Sequence, residues 1–217
     1  EGHIAFLRHG PQEIPPTTIV EYAAHAAATH VSIELGIKGQ ALTLAAGCTT
    51  GLDVVKWGAT QIQSGKAVSV IAGASDSLIS PYILGAFCAL GILSRRNDLP
   101  RNISRPYDRN HDGMVLGEGG GAVILEDLDH ALERNAEIYA EVLGSSSISE
   151  SKDFRKPELS GTTWAQAIRE ALVDAKIEVS DIDAVNAHGN SVPQYDIAET
   201  NALKSAFEKQ AYHIPVH

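Results

Sequence analysis

Residues 43–65 read TLAAGCTTGLDVVKWGATQIQSG, and the change of hydrophobic period across this run decides the fold class. In KGQALTLAAG (38–47), Leu42 and Leu44 face one way and Thr43 the other, which predicts a short strand ending at Gly47. After Cys48, residues Leu52, Val55, Ala59 and Ile62 recur at spacings of three and four, one apolar helical face that closes at Gly65. AVSVIAGAS (67–75) follows, small and β-branched, and predicts a fully buried strand. Strand, helix and strand within about 30 residues make a βαβ unit, with a right-handed crossover in a parallel or mixed sheet. The chain therefore reads as α/β.

The same reading extends along the chain. TTIVEYAAHAAATHVSIELGI (17–37) predicts one alanine-rich helix from about Ile19 to Leu35, closed by Gly36. PYILGAFCALGIL (81–93) is a further helix, and RRNDLPRNISRPYDRNHDG (95–113) a polar loop. MVLGEGGGAVILEDL (114–128) reads as a strand pair or one bent strand, LDHALERN (128–135) as a helix and IYAEVLGSSS (138–147) as a strand. After the polar loop SISESKDFRKPELSG (147–161) come the helix TTWAQAIREALVDAKI (162–177), capped by Thr162 or Thr163, the strand IDAVNAHG (182–189), and YDIAETNALKSAFE (195–208), which completes a second βαβ-like series. No internal repeat or low-complexity tract interrupts this order.

Composition narrows the function. With 217 residues, 44% hydrophobic and 20% charged, the chain can bury a core as one domain or two small lobes. Two cysteines, Cys48 and Cys88, and the opening EGHIAFLRHG, which lacks a basic segment followed by an apolar run, argue against a disulfide scaffold and against secretion; they predict a cytoplasmic protein. A formal charge of −10 disfavours a surface that tracks phosphates, and no apolar run approaches the roughly 20 residues of a membrane span. Nucleic acid and membranes are thus poor candidates as partners. The chain opens on Glu1 and closes on AYHIPVH (211–217), just after the strand-like HIPV, and both ends read as cuts within a longer protein.

Cys48 is the first site candidate. A cysteine is more often a small packing residue than a nucleophile, but here four features coincide. A small-residue strand ends, Gly47 permits a sharp turn, Cys48 opens the helix, and Thr49, Thr50 and Gly51 keep the surroundings small. Strand, turn and helix make a nucleophile elbow, where the helix amino end favours a thiolate and a backbone N–H can face a developing oxyanion. Cys88, mid-helix among apolar neighbours, reads as a packing residue. Among nine histidines His188 stands apart: VNAHGNSVP places it at the end of an apolar strand before a Gly-Asn-Ser turn, the sheet edge where open α/β proteins carry their sites. His3, His9, His25, His30, His111, His130, His213 and His217 read as surface or capping residues. Asp196 and Glu199, on the first turn of the last helix, either complement its dipole or orient groups below the histidine turn. No Cys/His spacing suggests a metal site, no glycine run forms a phosphate loop, and GEGGG (117–121) lies in strand-like sequence.

Taken together, AAGCTTG (45–51), SRPYDRNHDGMVLGEGGGAVILED (104–127) and VNAHGNSVPQYDIAETNALKSAF (185–207) resemble the β-ketoacyl synthase family of the thiolase superfamily, closest to its elongating type II condensing enzymes. The resemblance runs from IPPTTIVEYAA (14–24) onward. It implies a thiolase-like five-layered αβαβα fold of two similar halves. Residues 1–143 would be the remainder of the N-terminal half with the nucleophile, and 144–217 the start of the C-terminal half with the first active-site histidine. It implies a decarboxylative Claisen condensation in fatty acid or polyketide biosynthesis. Cys48 would take an acyl group from the phosphopantetheine arm of an acyl carrier protein, its backbone N–H giving half the oxyanion hole. His188 would assist decarboxylation of the malonyl carrier and stabilise the enolate. Phe87, in LGAFCALG (84–91), would line the acyl pocket. The family's HGTxT turn reads HGNSV here, with Asn190 and Val192 where hydroxyls commonly contact the pantetheine arm. No permanently bound cofactor is implied. The strand near Ala41 to Ala46 would pair across a two-fold axis in a homodimer or a ketosynthase-like heterodimer. Family members continue past this end with a lysine-containing strand, a second histidine and a Gly-Phe-Gly loop. A non-catalytic subunit that sets chain length or scaffolds a dimer is the alternative; such subunits typically replace the nucleophile, which Cys48 retains.

Overall fold

The computed structural model describes residues 2–97, 102–153 and 155–217; residues 98–101 of the polar loop at 95–113, and residue 154 of the loop at 147–161, lie outside the described residues. The chain forms two units, 1–50 and 51–217.

In the first unit, α1 (Gly2–His9), α2 (Thr18–Tyr22) and α3 (Ala26–Glu34) precede a non-helical run to Ala46. The single helix expected at 19–35 is broken: Ala23 is extended, with φ −68° and ψ 137°. Neither α2 nor α3 buries a residue. Alanine supplies propensity, but without a packed face a long helix gains little from it. The strand expected at 41–46 is not formed, because those residues find no ladder partner among the described residues.

The second unit opens with α4 (Thr50–Gln63), whose first residue belongs to the preceding unit. It lies on a two-stranded sheet of β1 (Ser69–Ser77) and β2 (Glu118–Glu126). Gly58 is the contact: a Cβ there would stand 2.7 Å from Leu125 and 3.2 Å from Val70. The strands run antiparallel, Ser69 opposite Glu126 and Ser77 opposite Glu118, so the expected parallel βαβ unit is not formed within the described chain. Nor is β1 fully buried: only Ala72 is, because a single partner strand and one helix cover little of its two faces. Within GEGGG, Gly120 has a packing reason, since a Cβ there would meet Ser75 at 3.0 Å. Between the strands stands α5 (Pro81–Leu90), capped by the Ser80 hydroxyl and closed by left-handed Gly91. Cys88 on it is exposed, against the packing role expected. The bent strand reduces to β2 plus a bridge from Met114 to Leu93, and α6 (Leu128–Glu133) follows, its amino end capped by Asp127.

The core lies between α7 (Thr162–Ala175) and α8 (Pro193–Phe207). Ala165 of α7 and Ala202, Ala206 and Phe207 of α8 are buried, with Trp164, Ile168, Leu172 and Val185 packed around them. Small side chains let the helices approach closely. The cap of α7 is not a threonine but Gly161, left-handed at φ 65°, where a Cβ would press on the Ala198 carbonyl and sit 2.6 Å from the Ala202 nitrogen. Residues 138–147 form no strand; their end instead hugs α7, with the Ser145 N–H donating to Asp174 and the Ser146 hydroxyl to Glu170. The strand at 182–189 survives as a parallel bridge of Val185 to Val216 in HIPV. That bridge delivers the chain to His188.

Candidate active site

In the first unit, Cys48 occupies a one-turn 3-10 helix, Gly47–Thr49, two residues before α4 begins. Gly47 has φ 66° with open space around its missing Cβ, so backbone freedom rather than room selects glycine. The threonines stitch the turn. The Ala46 N–H donates to the Thr50 hydroxyl at 2.9 Å, which itself donates to the Gly47 carbonyl at 2.7 Å, while the Thr49 hydroxyl donates to the Ala46 carbonyl at 3.1 Å. The thiol is exposed.

In the second unit a polar constellation is built around His188. One carboxylate gathers the turn: Glu199 accepts from the His188 N–H at 2.7 Å, the Gly189 N–H at 3.0 Å and the Tyr107 hydroxyl at 2.5 Å. Charge-assisted bonds of this kind are the strong ones. Asp196, only 2% exposed, accepts the Tyr107 N–H at 2.8 Å and pairs with His111 Nδ1 at 2.6 Å. The fully buried Ser191 hydroxyl accepts the Arg105 N–H at 2.6 Å. Residues 105–107 are thereby pinned to the histidine turn. Tyr107 and Ser191 both adopt left-handed φ, 62° and 68°, an uncommon state for residues with a side chain that persists where bonds on both sides enforce it. Gly189, at φ 43°, lets Pro106 approach, since a Cβ would stand 3.3 Å from it. Burial first, then the facing Glu199, pushes the Tyr107 phenol well above its ordinary range, so it stays a donor.

Asn190 turns back on both neighbours, its Oδ1 accepting the Val192 N–H at 2.9 Å and its Nδ2 lying 3.0 Å from His188 Nε2. On the other side the Tyr195 ring stands 6.2 Å from His188, and Trp164 backs Tyr195 at 6.2 Å.

The structure thus brings His188, Asn190, Val192, Asp196 and Glu199 into one cluster, while half-buried Phe87 lies on α5 and Cys48 belongs to the first unit. Glu199 sits on the second turn of α8, not the first. His111 is corrected from a surface residue to a partner of Asp196 whose side chain is 15% exposed. Sequence reasoning also missed Arg105, Tyr107 and Ser191; the available signal was RPYD (105–108), part of a quoted motif. Among the described residues no group of three His, Cys, Asp or Glu side chains is placed to hold a metal ion, and no helix is long and apolar enough to cross a membrane.

Cys48 in its glycine-hinged turn and His188 in its braced turn belong to a chain of thiolase-like fold, as comparison with known proteins shows. Residues 2–131 match the beta-ketoacyl synthase N-terminal domain and residues 139–217 the beta-ketoacyl synthase C-terminal domain. The chain belongs to the β-ketoacyl synthase family. It is 37% identical over 216 residues to the 3-oxoacyl-[acyl-carrier-protein] synthase 2 of Coxiella burnetii, covering 100% of this chain and 52% of that one. It is 40% identical over 186 residues to the tetracenomycin polyketide synthase ketoacyl synthase alpha subunit of Streptomyces glaucescens, covering 86% and 44%. A solved complex of a type II polyketide acyl-carrier protein with its ketosynthase, bound to the hexaketide, matches with a TM-score of 0.92 and 34% identity, over 95% of this chain and 51% of that one. The chain spans about half the length of the curated relatives it matches.

Proposed function

We propose that the whole protein is a β-ketoacyl synthase of fatty acid or polyketide biosynthesis. The carrying observation is Cys48, exposed in a glycine-hinged turn that runs into a helix, in a chain that matches both family domains. The Cys48 thiolate attacks the acyl thioester of a carrier protein, forming acyl-Cys48 and releasing the pantetheine thiol. A malonyl thioester on a second carrier then loses carbon dioxide; its enolate attacks the acyl-Cys48 carbonyl and expels the Cys48 thiolate, leaving a β-ketoacyl carrier. The Cys48 backbone N–H is one oxyanion donor, and His188 assists decarboxylation by hydrogen bonding to the thioester oxygen.

Glu199 and Asp196 hold the turn that aims His188, Phe87 lines the acyl pocket, and Asn190 and Val192 face the pantetheine arm. That arm arrives with the acyl carrier protein as substrate, and no resident cofactor takes part. Residues 1–143 belong to the nucleophile half and 144–217 to the histidine half. The protein works in the cytoplasm as a dimer, homodimeric or paired with a ketosynthase-like subunit, with residues 41–46 at the two-fold axis.

Cys48→Ala in the full-length protein tests this reading. Condensation of acyl-carrier and malonyl-carrier substrates is expected to vanish, and unchanged product formation would overturn the assignment of Cys48.

A further inference from the structure

The geometry points to Asn190 as a positioning residue that fixes which nitrogen of His188 carries the proton. One donor at Asn190 cannot reverse. A backbone N–H only donates, so the Asn190 atom 2.9 Å from the Val192 nitrogen is its carbonyl Oδ1. The atom turned toward His188 Nε2, 3.0 Å away, is then the Nδ2 amide, which also only donates. Nε2 must accept. The neutral ring therefore bears its proton on Nδ1, and a proton on Nε2 would set two donors against each other.

Both partners are held in place. Glu199 anchors the His188 and Gly189 N–H groups, Ser191 is pinned to Arg105, and the Tyr195 ring stands beside the imidazole. The Asn190 bond to Val192 closes a small side-chain turn just ahead of Pro193 and α8. Asn190 thus keeps Nε2 as an acceptor, and for Nε2 to donate to a substrate oxygen the amide must let go and Nε2 must take a proton from solvent while Nδ1 gives its own back to solvent. This consequence for the reaction rests on the function proposed above; the tautomer itself does not.

The test is 15N NMR of the full-length protein labelled at histidine, with His188→Gln assigning the signals. At a pH where the ring is neutral, His188 is expected to show a bare-imine signal from Nε2 and an N–H signal from Nδ1. Asn190→Asp keeps an oxygen for Val192 and turns a second oxygen toward the ring, so the proton is expected to move to Nε2 and the two signals to exchange. Asn190→Ala, which lacks the amide, is expected to lose the single-tautomer pattern. An Nε2–H signal in the parent, or a pattern identical in all three proteins, would overturn the proposal. An inactive protein with the expected signals would instead count against the proposed function alone.

Discussion

At the scale of residues, the histidine turn hangs on Glu199. Replacing it by Gln substitutes an amide donor for one of the oxygens that faces three donors, and a group left unpaired in this way costs about 1–3 kcal/mol. Glu199→Gln is expected to lower the melting temperature and to slow malonyl decarboxylation by roughly 100-fold through misplacement of His188, while acyl loading of Cys48 persists. Single-turnover assays of the two half-reactions separate these effects. Tyr107 gives a pH signature. Its phenol is raised in the fold, so its contribution to stability is whole below about pH 10, the ordinary value, and is lost as pH rises beyond it. The stability difference between the parent and Tyr107→Phe should therefore be full at pH 8 and narrow above about pH 10, as denaturant titrations at each pH would show. Cys48 and His188 stood out in the sequence because each interrupts a hydrophobic pattern at a glycine. Tyr107 and His111 did not, because their partners lie more than 80 residues away and a polar loop carries no periodicity.

At the scale of elements, close helix packing is the main device. Gly161→Ala would force a Cβ into the backbone of α8 and strain a left-handed φ, and is expected to cost about 3 kcal/mol. Hydrogen exchange should show protection lost from α7 and α8 together. The corner between β2 and α6 is held by charge instead. Arg134 first, and His130 after it, holds the Glu126 carboxyl down at about 2. Arg134→Ala should return its NMR titration midpoint toward the ordinary value of about 4.3. Any stability from this depressed carboxylate is present above that ordinary value and is lost as pH falls toward 2. Of the helices with a packed face, α4 was legible from its periodicity, while the segments at 162–177 and 195–208 stood out by their place between polar loops and strand-like runs. Strands were less so, since AVSVIAGAS fixes an extended segment but not its partner: β1 found an antiparallel neighbour some 50 residues on, and residues 41–46 found none among those described.

At the scale of the whole molecule, the family was legible because three motifs fall in order along the chain, and the two domain matches cover nearly all of it. The Cys48 turn and the His188 turn lie in separate units, each built by its own local bonds, so no pattern in the sequence of one reports on the other. Peptide mass spectrometry of the full-length protein, after exposure to an acyl-loaded carrier protein without malonyl donor, shows directly whether Cys48 takes the acyl group. The account predicts one acyl group, on the peptide holding Cys48, absent from Cys48→Ala and retained in His188→Ala. An acyl group on Cys88 or another residue, or none on a folded protein, would contradict it.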